Sequence, residues 1–187
     1  MSNKVVEKQR PYIVGQAFGV VLEIGFGSGL NLPYYKNINK LYAIDPSREL
    51  YNLAEERIKE TFFPVEYLPV SAEKIPLADN SIDSVVSTWN LCSISHTENT
   101  LKEIFRVLKP NGIFLFIEHG KSSSQFIFNV QKLLTPSWKH IAGGCCLDKE
   151  IDKLISDVGF EIQKLEKSKQ KFKPLNFLYK GIAVARK

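Results

Sequence analysis

The residues from Val20 to Leu32 read VVLEIGFGSGLNL, and their spacing already suggests a chemistry. An apolar run carries one acid, Glu23, and then glycine at alternate positions: Gly25, Gly27 and Gly29. That pattern predicts a strand feeding a glycine turn that opens a helix. Glycines let the backbone turn sharply and approach a ligand with no Cβ in the way. Amides exposed at a helix start favour an anionic group. A dinucleotide fingerprint, G-x-G-x-x-G, would need glycine at position 30 or 32, where leucine stands. A P-loop would need a lysine after its last glycine, and none follows Gly29. The next strand-like run ends in YAIDPS, which puts Asp45 where a carboxylate can accept from ribose hydroxyls. The expected ligand therefore has a ribose and an anionic end, such as a carboxylate, but no diphosphate. The plainer alternative is a tight turn and a helix-capping aspartate.

Other reactive residues are few. Cys92, Cys145 and Cys146 are an odd set with no regular framework and no C-x-x-C pair. A disulfide scaffold and a structural zinc site are both disfavoured, and no metal is expected. Cys145 and Cys146 read as small apolar groups lining a pocket, or one of them as a reactive thiol if its pKa is lowered. His119 follows Glu118 at the end of a strand-like run, where the crevice of a parallel sheet lies. An imidazole there could take a proton near neutral pH, or could simply be hydrogen-bonded in a loop.

The elements that must position these groups alternate between strand-like and helical runs, the signature of an α/β protein with a parallel sheet. Strands are predicted near Val20–Gly25, Lys40–Ile44, Val65–Val70, Ser84–Thr88 and Gly112–Glu118, with Phe160–Leu165 and Phe177–Ala185 closing the sheet. A short helix begins at Leu30–Tyr35. Ser47 caps another with Leu50, Leu53, Ala54 and Ile58 inward. Thr97 or Asn99 opens a third, which ends at KPNG (Lys109 to Gly112). Gln125–Leu134 and Leu147–Val158 follow, the latter capped by Asp148 and ended by Gly159. The chain of 187 residues reads as one domain, with 1–18 as an N-terminal arm and 121–147 as an irregular insertion shaping a substrate pocket.

VLEIGFGSGLN, YAIDPS, VSAEKIPLADNSIDSVVSTWNLCSI and EIFRVLKPNGIFLFIEH together resemble the class I S-adenosylmethionine-dependent methyltransferases, of the type 11 group, over nearly the whole chain. The resemblance implies a Rossmann-like, seven-stranded, mostly parallel sheet with its last strand antiparallel and helices on both faces. It implies S-adenosyl-L-methionine as cofactor. Gly25 and Gly27 would pack on its methionine part, Asp45 would hold its ribose, and Ala72 and Glu73 would lie by its adenine. Glu23, Gly29, Pro46, Ser71 and Asn90 complete the expected cofactor site, although many relatives carry Asp where Ser71 stands.

WNLCSI, IEHG and PSWKHIAGGCCLDKE further resemble the methyltransferase-like thiol S-methyltransferases. That resemblance implies a small thiol acceptor, with His119 as candidate general base and Trp89, Trp138, His140 and Cys145 around the acceptor. Packing on Trp138 is the simpler role for His140. Methylation of a phospholipid amine or quinone precursor is the alternative. A non-catalytic cofactor-binding regulator is the alternative of another class. The proline-pair signature of base-methylating enzymes is missing after the fourth strand, which argues against a nucleic-acid substrate. The net charge of +5 is concentrated after Glu161, at Lys164, Lys167, Lys169, Lys171, Lys173, Lys180, Arg186 and Lys187. These read as a solvated face, or as a contact to an anionic membrane. The chain has no signal-like start and no membrane-spanning run, so a cytoplasmic protein is expected.

Overall fold

The computed structural model describes residues 8–170 and 173–187. Seven strands form one sheet: β1 (Phe18–Ile24), β2 (Asn37–Ile44), β3 (Val65–Leu68), β4 (Ile82–Thr88), β5 (Leu108–Gly120), β6 (Phe160–Gln170) and β7 (Lys173–Ala185). Their order is β3-β2-β1-β4-β5-β7-β6. Strands β1 to β5 pair in parallel, and β7 lies antiparallel between β5 and β6. The implied Rossmann-like sheet is thus present.

Successive strand side chains point to opposite faces, and the apolar runs of this chain fill both. Leu22, Ile24, Val85, Phe114 and Phe116 pack on one face with Leu101 and Ile104 of α4 (Thr97–Val107) and Ile151 and Ile155 of α6 (Ile151–Asp157). Val21, Val86, Leu115 and Ile117 pack on the other with Ile13 and Val14 of α1 (Arg10–Val14) and with Ala54. The unbroken apolar run Ile113–Ile117 in β5 is what burial on both faces requires.

Several boundaries differ from the sequence expectation. Ser47 does cap a helix, its Oγ accepting from Leu50 N–H at 3.2 Å. That helix is split into α2 (Arg48–Asn52) and α3 (Glu55–Lys59), and Leu50 and Leu53 are exposed while Ala54 is buried. The run 121–147 contains a 17-residue helix, α5 (Gln125–Ile141), which continues through Pro136. Helix α6 starts at Ile151 after Glu150, so Asp148 is not its cap. No helix among the described residues is long and apolar enough to cross a membrane.

Candidate cofactor and acceptor site

The glycine turn leaves β1 with its backbone in the left-handed region: φ is +69° at Gly25, +55° at Gly27 and +73° at Gly29. Only glycine adopts this without strain. The turn is tied to β2 by the N–H groups of Gly25 and Phe26, which both donate to Ile44 O at 2.9 and 3.1 Å. Asp45 then bridges both sides of the crevice. Its Oδ2 accepts from Gly27 N–H and its Oδ1 from Ser47 N–H, each at 2.8 Å. Each carboxylate oxygen can accept again, so Asp45 both shapes the turn and keeps capacity for a ribose.

Glu23 occupies a different place. It is buried below the turn, accepting from Asn31 Nδ2 at 2.8 Å and Tyr35 Oη at 2.7 Å. Burial pushes its carboxyl up to about 7. Asn31 also donates to Thr88 Oγ1 at 3.1 Å, and Arg10 donates to both Asn31 and Thr88. Glu23 thereby locks the start of the turn to the end of β4 and to α1. Sequence reasoning missed Asn31, Tyr35 and Arg10, because nothing in their spacing marks them as partners.

Gly25, Pro46, Ser71, Ala72 and Asn90 converge, with Ile44 and Ile94, around a cleft of about 90 Å³. The Asn90 amide lies directly over Gly25: a Cβ on Gly25 would meet Asn90 Nδ2 at 2.1 Å. A Cβ on Gly27 would meet nothing nearer than 4.0 Å. Glu73 turns toward His96, whose N–H it accepts at 3.4 Å, and Ser71 Oγ accepts from Glu73 N–H at 3.3 Å. Trp89, just past β4, has φ +54°, a conformation that costs a non-glycine residue about 1–3 kcal/mol and that clusters at functional sites. The Arg10 guanidinium lies 4.8 Å from the Trp89 ring centre, and the buried Trp89 Nε1 has no hydrogen-bond partner among the described residues. A glycine cradle open at Gly27 and a cleft between the ends of β1, β2 and β4 fit an adenosyl amino acid. A larger cavity of about 300 Å³ lies elsewhere; four of its five charged groups are paired, Lys121 with Glu150 and Lys167 with Asp152, each at 2.6 Å, and Lys153 is the fifth.

At the ends of β4 and β5 a second group assembles. Glu118 is fully buried and accepts from Ser87 Oγ at 2.8 Å, Asn90 N–H at 3.1 Å and Cys92 N–H at 3.2 Å. Burial raises its carboxyl. His119 Nδ1 lies 3.7 Å from Cys145 Sγ and 4.0 Å from Cys92 Sγ, and the two sulfurs are 3.4 Å apart. Their contact pushes the Cys92 thiol up and the Cys145 thiol down. Trp138 reaches Cys145 from α5, whereas His140, in the last turn of that helix, is exposed. The fold therefore joins His119 to Cys145 and brings in Cys92, to which the sequence reading gave no role.

The comparisons follow this geometry. A family model described as "Methyltransferase domain" matches residues 22–116, which run from β1 through most of β5. Thiol S-methyltransferase TMT1B of Homo sapiens is 30% identical over 178 residues, 89% of this chain and 73% of that one. Across that relative and the other matched thiol S-methyltransferases, the chain spans 62–73% of their length. A phosphatidylethanolamine N-methyltransferase of Cereibacter sphaeroides is 30% identical over 118 residues, 62% of this chain and 58% of its own. Among solved structures, a phosphoethanolamine N-methyltransferase of Haemonchus contortus, in complex with S-adenosylhomocysteine and phosphomonomethylethanolamine, superposes with a TM-score of 0.71 at 19% identity. It covers 95% of this chain and 52% of that one. The glycine turn, the bridging Asp45, the sheet order and the matched domain together place this chain in the S-adenosylmethionine-dependent methyltransferase family.

Proposed function

We propose that the protein transfers the methyl group of S-adenosylmethionine to the sulfur of a small thiol. The observation that carries this reading is the likeness to a thiol S-methyltransferase along 89% of the chain. The donor is already activated by its sulfonium charge, so the protein's work is to align an in-line displacement. Gly25 and Gly27 receive the methionine moiety, with the Asn90 amide turning from Gly25 toward its polar groups. Asp45 accepts from the ribose hydroxyls. Ala72, Pro46 and Ser71 wall the adenine side. The acceptor enters between Trp89, His119, Cys145 and Trp138. A free thiol with a pKa of about 8.5 is only a few per cent ionised at neutral pH, and His119 promotes its ionisation. The test is turnover of purified protein with S-adenosylmethionine and a panel of thiols. Thioether formation supports the reading; transfer to phosphatidylethanolamine or a quinone precursor alone would replace it with the amine or carbon methyltransferase reading, which the likeness to the Cereibacter enzyme favours.

We also propose peripheral contact with an anionic membrane, through α5 more than the C-terminal lysines. Lys164, Lys167, Lys180 and Arg186 are paired with Glu166, Asp152, Glu166 and Glu161. Lys171 and the side chain of Lys173 lie outside the described residues. Helix α5 instead buries Gln131 and Thr135 and exposes Phe126, Leu133, Leu134 and Ile141 on an outward face, the arrangement of an interfacial helix. Vesicle sedimentation tests this: binding that needs anionic lipid and is lost in Leu133→Asp with Ile141→Asp supports it, and equal binding by the double variant refutes it.

A further inference from the structure

We propose that Cys92, His119 and Cys145 form a site for one thiophilic divalent cation of the zinc type, with two thiolates and one imidazole nitrogen as protein ligands. The fourth position is open to the acceptor's sulfur, and this last clause rests on the thiol reading above. The cation site itself does not.

The three donor atoms already stand at the corners of a coordination polyhedron. Zinc binds thiolate at about 2.3 Å and imidazole at about 2.0–2.1 Å, nearly always tetrahedrally. Those lengths require about 3.8 Å between the two sulfurs and about 3.6 Å between sulfur and nitrogen. The observed separations are 3.4, 3.7 and 4.0 Å. All three potential ligand atoms lie within 4.8 Å of one another. Closing the site needs shifts of a few tenths of an ångström, not a refolding. The cysteines are free.

The segments that carry the ligands are fastened to one another. Cys92 N–H donates to Glu118 Oε2, one residue before His119 on β5. Cys146 N–H donates to Cys92 O at 2.9 Å, which holds the Cys145 segment against the loop after β4. Lys149 Nζ then crosses between the same segments, donating to Leu91 O at 2.9 Å and to Ile94 O and Thr97 Oγ1 at 2.7 Å. Cys146 stands outside the cluster formed by the other three side chains, its sulfur lying 3.7 Å from Gly144 O. Three protein ligands rather than four is the arrangement of zinc sites that keep a position for substrate.

The charges agree. Two thiolate ligands carry two negative charges, which a dication cancels. A buried cluster needs that neutrality far more than a surface one. Asn90, which walls the donor cleft, is two residues before Cys92. An acceptor thiol bound at the fourth position gives up its proton to solvent and coordinates as thiolate. A sulfur lone pair then attacks the methyl carbon, the bond from that carbon to the donor sulfur breaks with its electrons going to S-adenosylhomocysteine, and the neutral thioether leaves the metal. His119 promotes ionisation here as a ligand through Nδ1, rather than by taking the proton itself.

The test uses the full chain, reduced, stripped with chelator and titrated anaerobically with Co²⁺ alone. Binding of one equivalent with a thiolate-to-cobalt charge-transfer band, bleached by one equivalent of Zn²⁺, is expected. Cys92→Ser, Cys145→Ser and His119→Asn should each weaken binding by about a hundredfold, and Cys146→Ser should leave it unchanged. Circular dichroism of each variant controls for folding. No band at stoichiometric cobalt overturns the site, as does a band that survives in Cys145→Ser or is lost in Cys146→Ser. A Cys92–Cys145 disulfide in the oxidised protein, with no metal bound after reduction, also overturns it. Metal that binds as expected in a protein methylating no thiol leaves the site standing and refutes the thiol reading. Thiol methylation at the same rate with and without bound metal refutes the role at the fourth position alone.

Discussion

Glu23 gives the sharpest stability prediction. Its carboxyl sits at about 7 in the folded chain against an ordinary 4.5, chiefly because burial removes it from water, with the bonds from Tyr35 and Asn31 offsetting part of that cost. At about 1.4 kcal/mol for each tenfold in proton affinity, the gap corresponds to about 3 kcal/mol. Below pH 4.5 both states hold the proton and Glu23 contributes no pH dependence. Between pH 4.5 and 7 the unfolded chain has released it and the folded chain has not, so stability falls as pH rises. Above pH 7 the full penalty is present and constant. Glu23→Gln is always neutral, can accept from Asn31 Nδ2 and can donate to Tyr35 Oη, so it carries no such slope. Urea unfolding of both proteins across pH 4 to 8 reads the difference, in which every other titrating group cancels. The variant should gain about 3 kcal/mol on the parent over that range. Parallel curves, or a parent that gains on the variant as pH rises, would refute the assignment of Glu23 as a buried, raised carboxyl.

Three further outcomes are expected. Gly25→Ala places a methyl where the Asn90 amide lies and forces a left-handed φ on alanine; calorimetry should show S-adenosylmethionine binding lost while the far-ultraviolet spectrum is retained. Gly27→Val meets open space in the chain but projects into the cradle and strains φ +55° by about 1–2 kcal/mol; cofactor binding should vanish with only a modest fall in melting temperature, and normal affinity would show that the turn cradles nothing. Asp45→Ala removes the acceptor for Gly27 and Ser47 N–H as well as for the ribose; at about 1–3 kcal/mol the affinity should drop one to two decades, and an unchanged dissociation constant in the folded variant would refute that role.

The sheet was legible because its strands are apolar runs of the right length, punctuated by Gly25 and Asp45; KPNG, read as a break after α4, instead lies within β5, where the register with β4 shifts. The cofactor turn was legible because glycine and acid spacing are local. Helix α5 was legible only over Gln125–Leu134: the fold carries it on through Pro136 to Ile141, buries Gln131 through bonds with Ser122, Gly120 and Leu175, and turns Phe126, Leu133 and Ile141 outward. The cysteine–histidine cluster was invisible for another reason. Cys92, His119 and Cys145 come from three segments far apart in sequence, so no spacing rule joins them, and the expectation of no metal rested on the lack of C-x-x-C. Glu23 was placed with the cofactor on its motif alone, and only the folded chain shows its oxygens committed to Asn31 and Tyr35.

The most direct measurement of the central claim is transfer of a labelled methyl group. Purified, reduced protein is given S-adenosylmethionine labelled in its methyl carbon, together with an aliphatic thiol, an aromatic thiol and phosphatidylethanolamine vesicles in one mixture. The account predicts label in thioether, with S-adenosylhomocysteine formed in equal amount. Label found in the lipid amine alone, or no transfer by a protein that binds the donor, would contradict it.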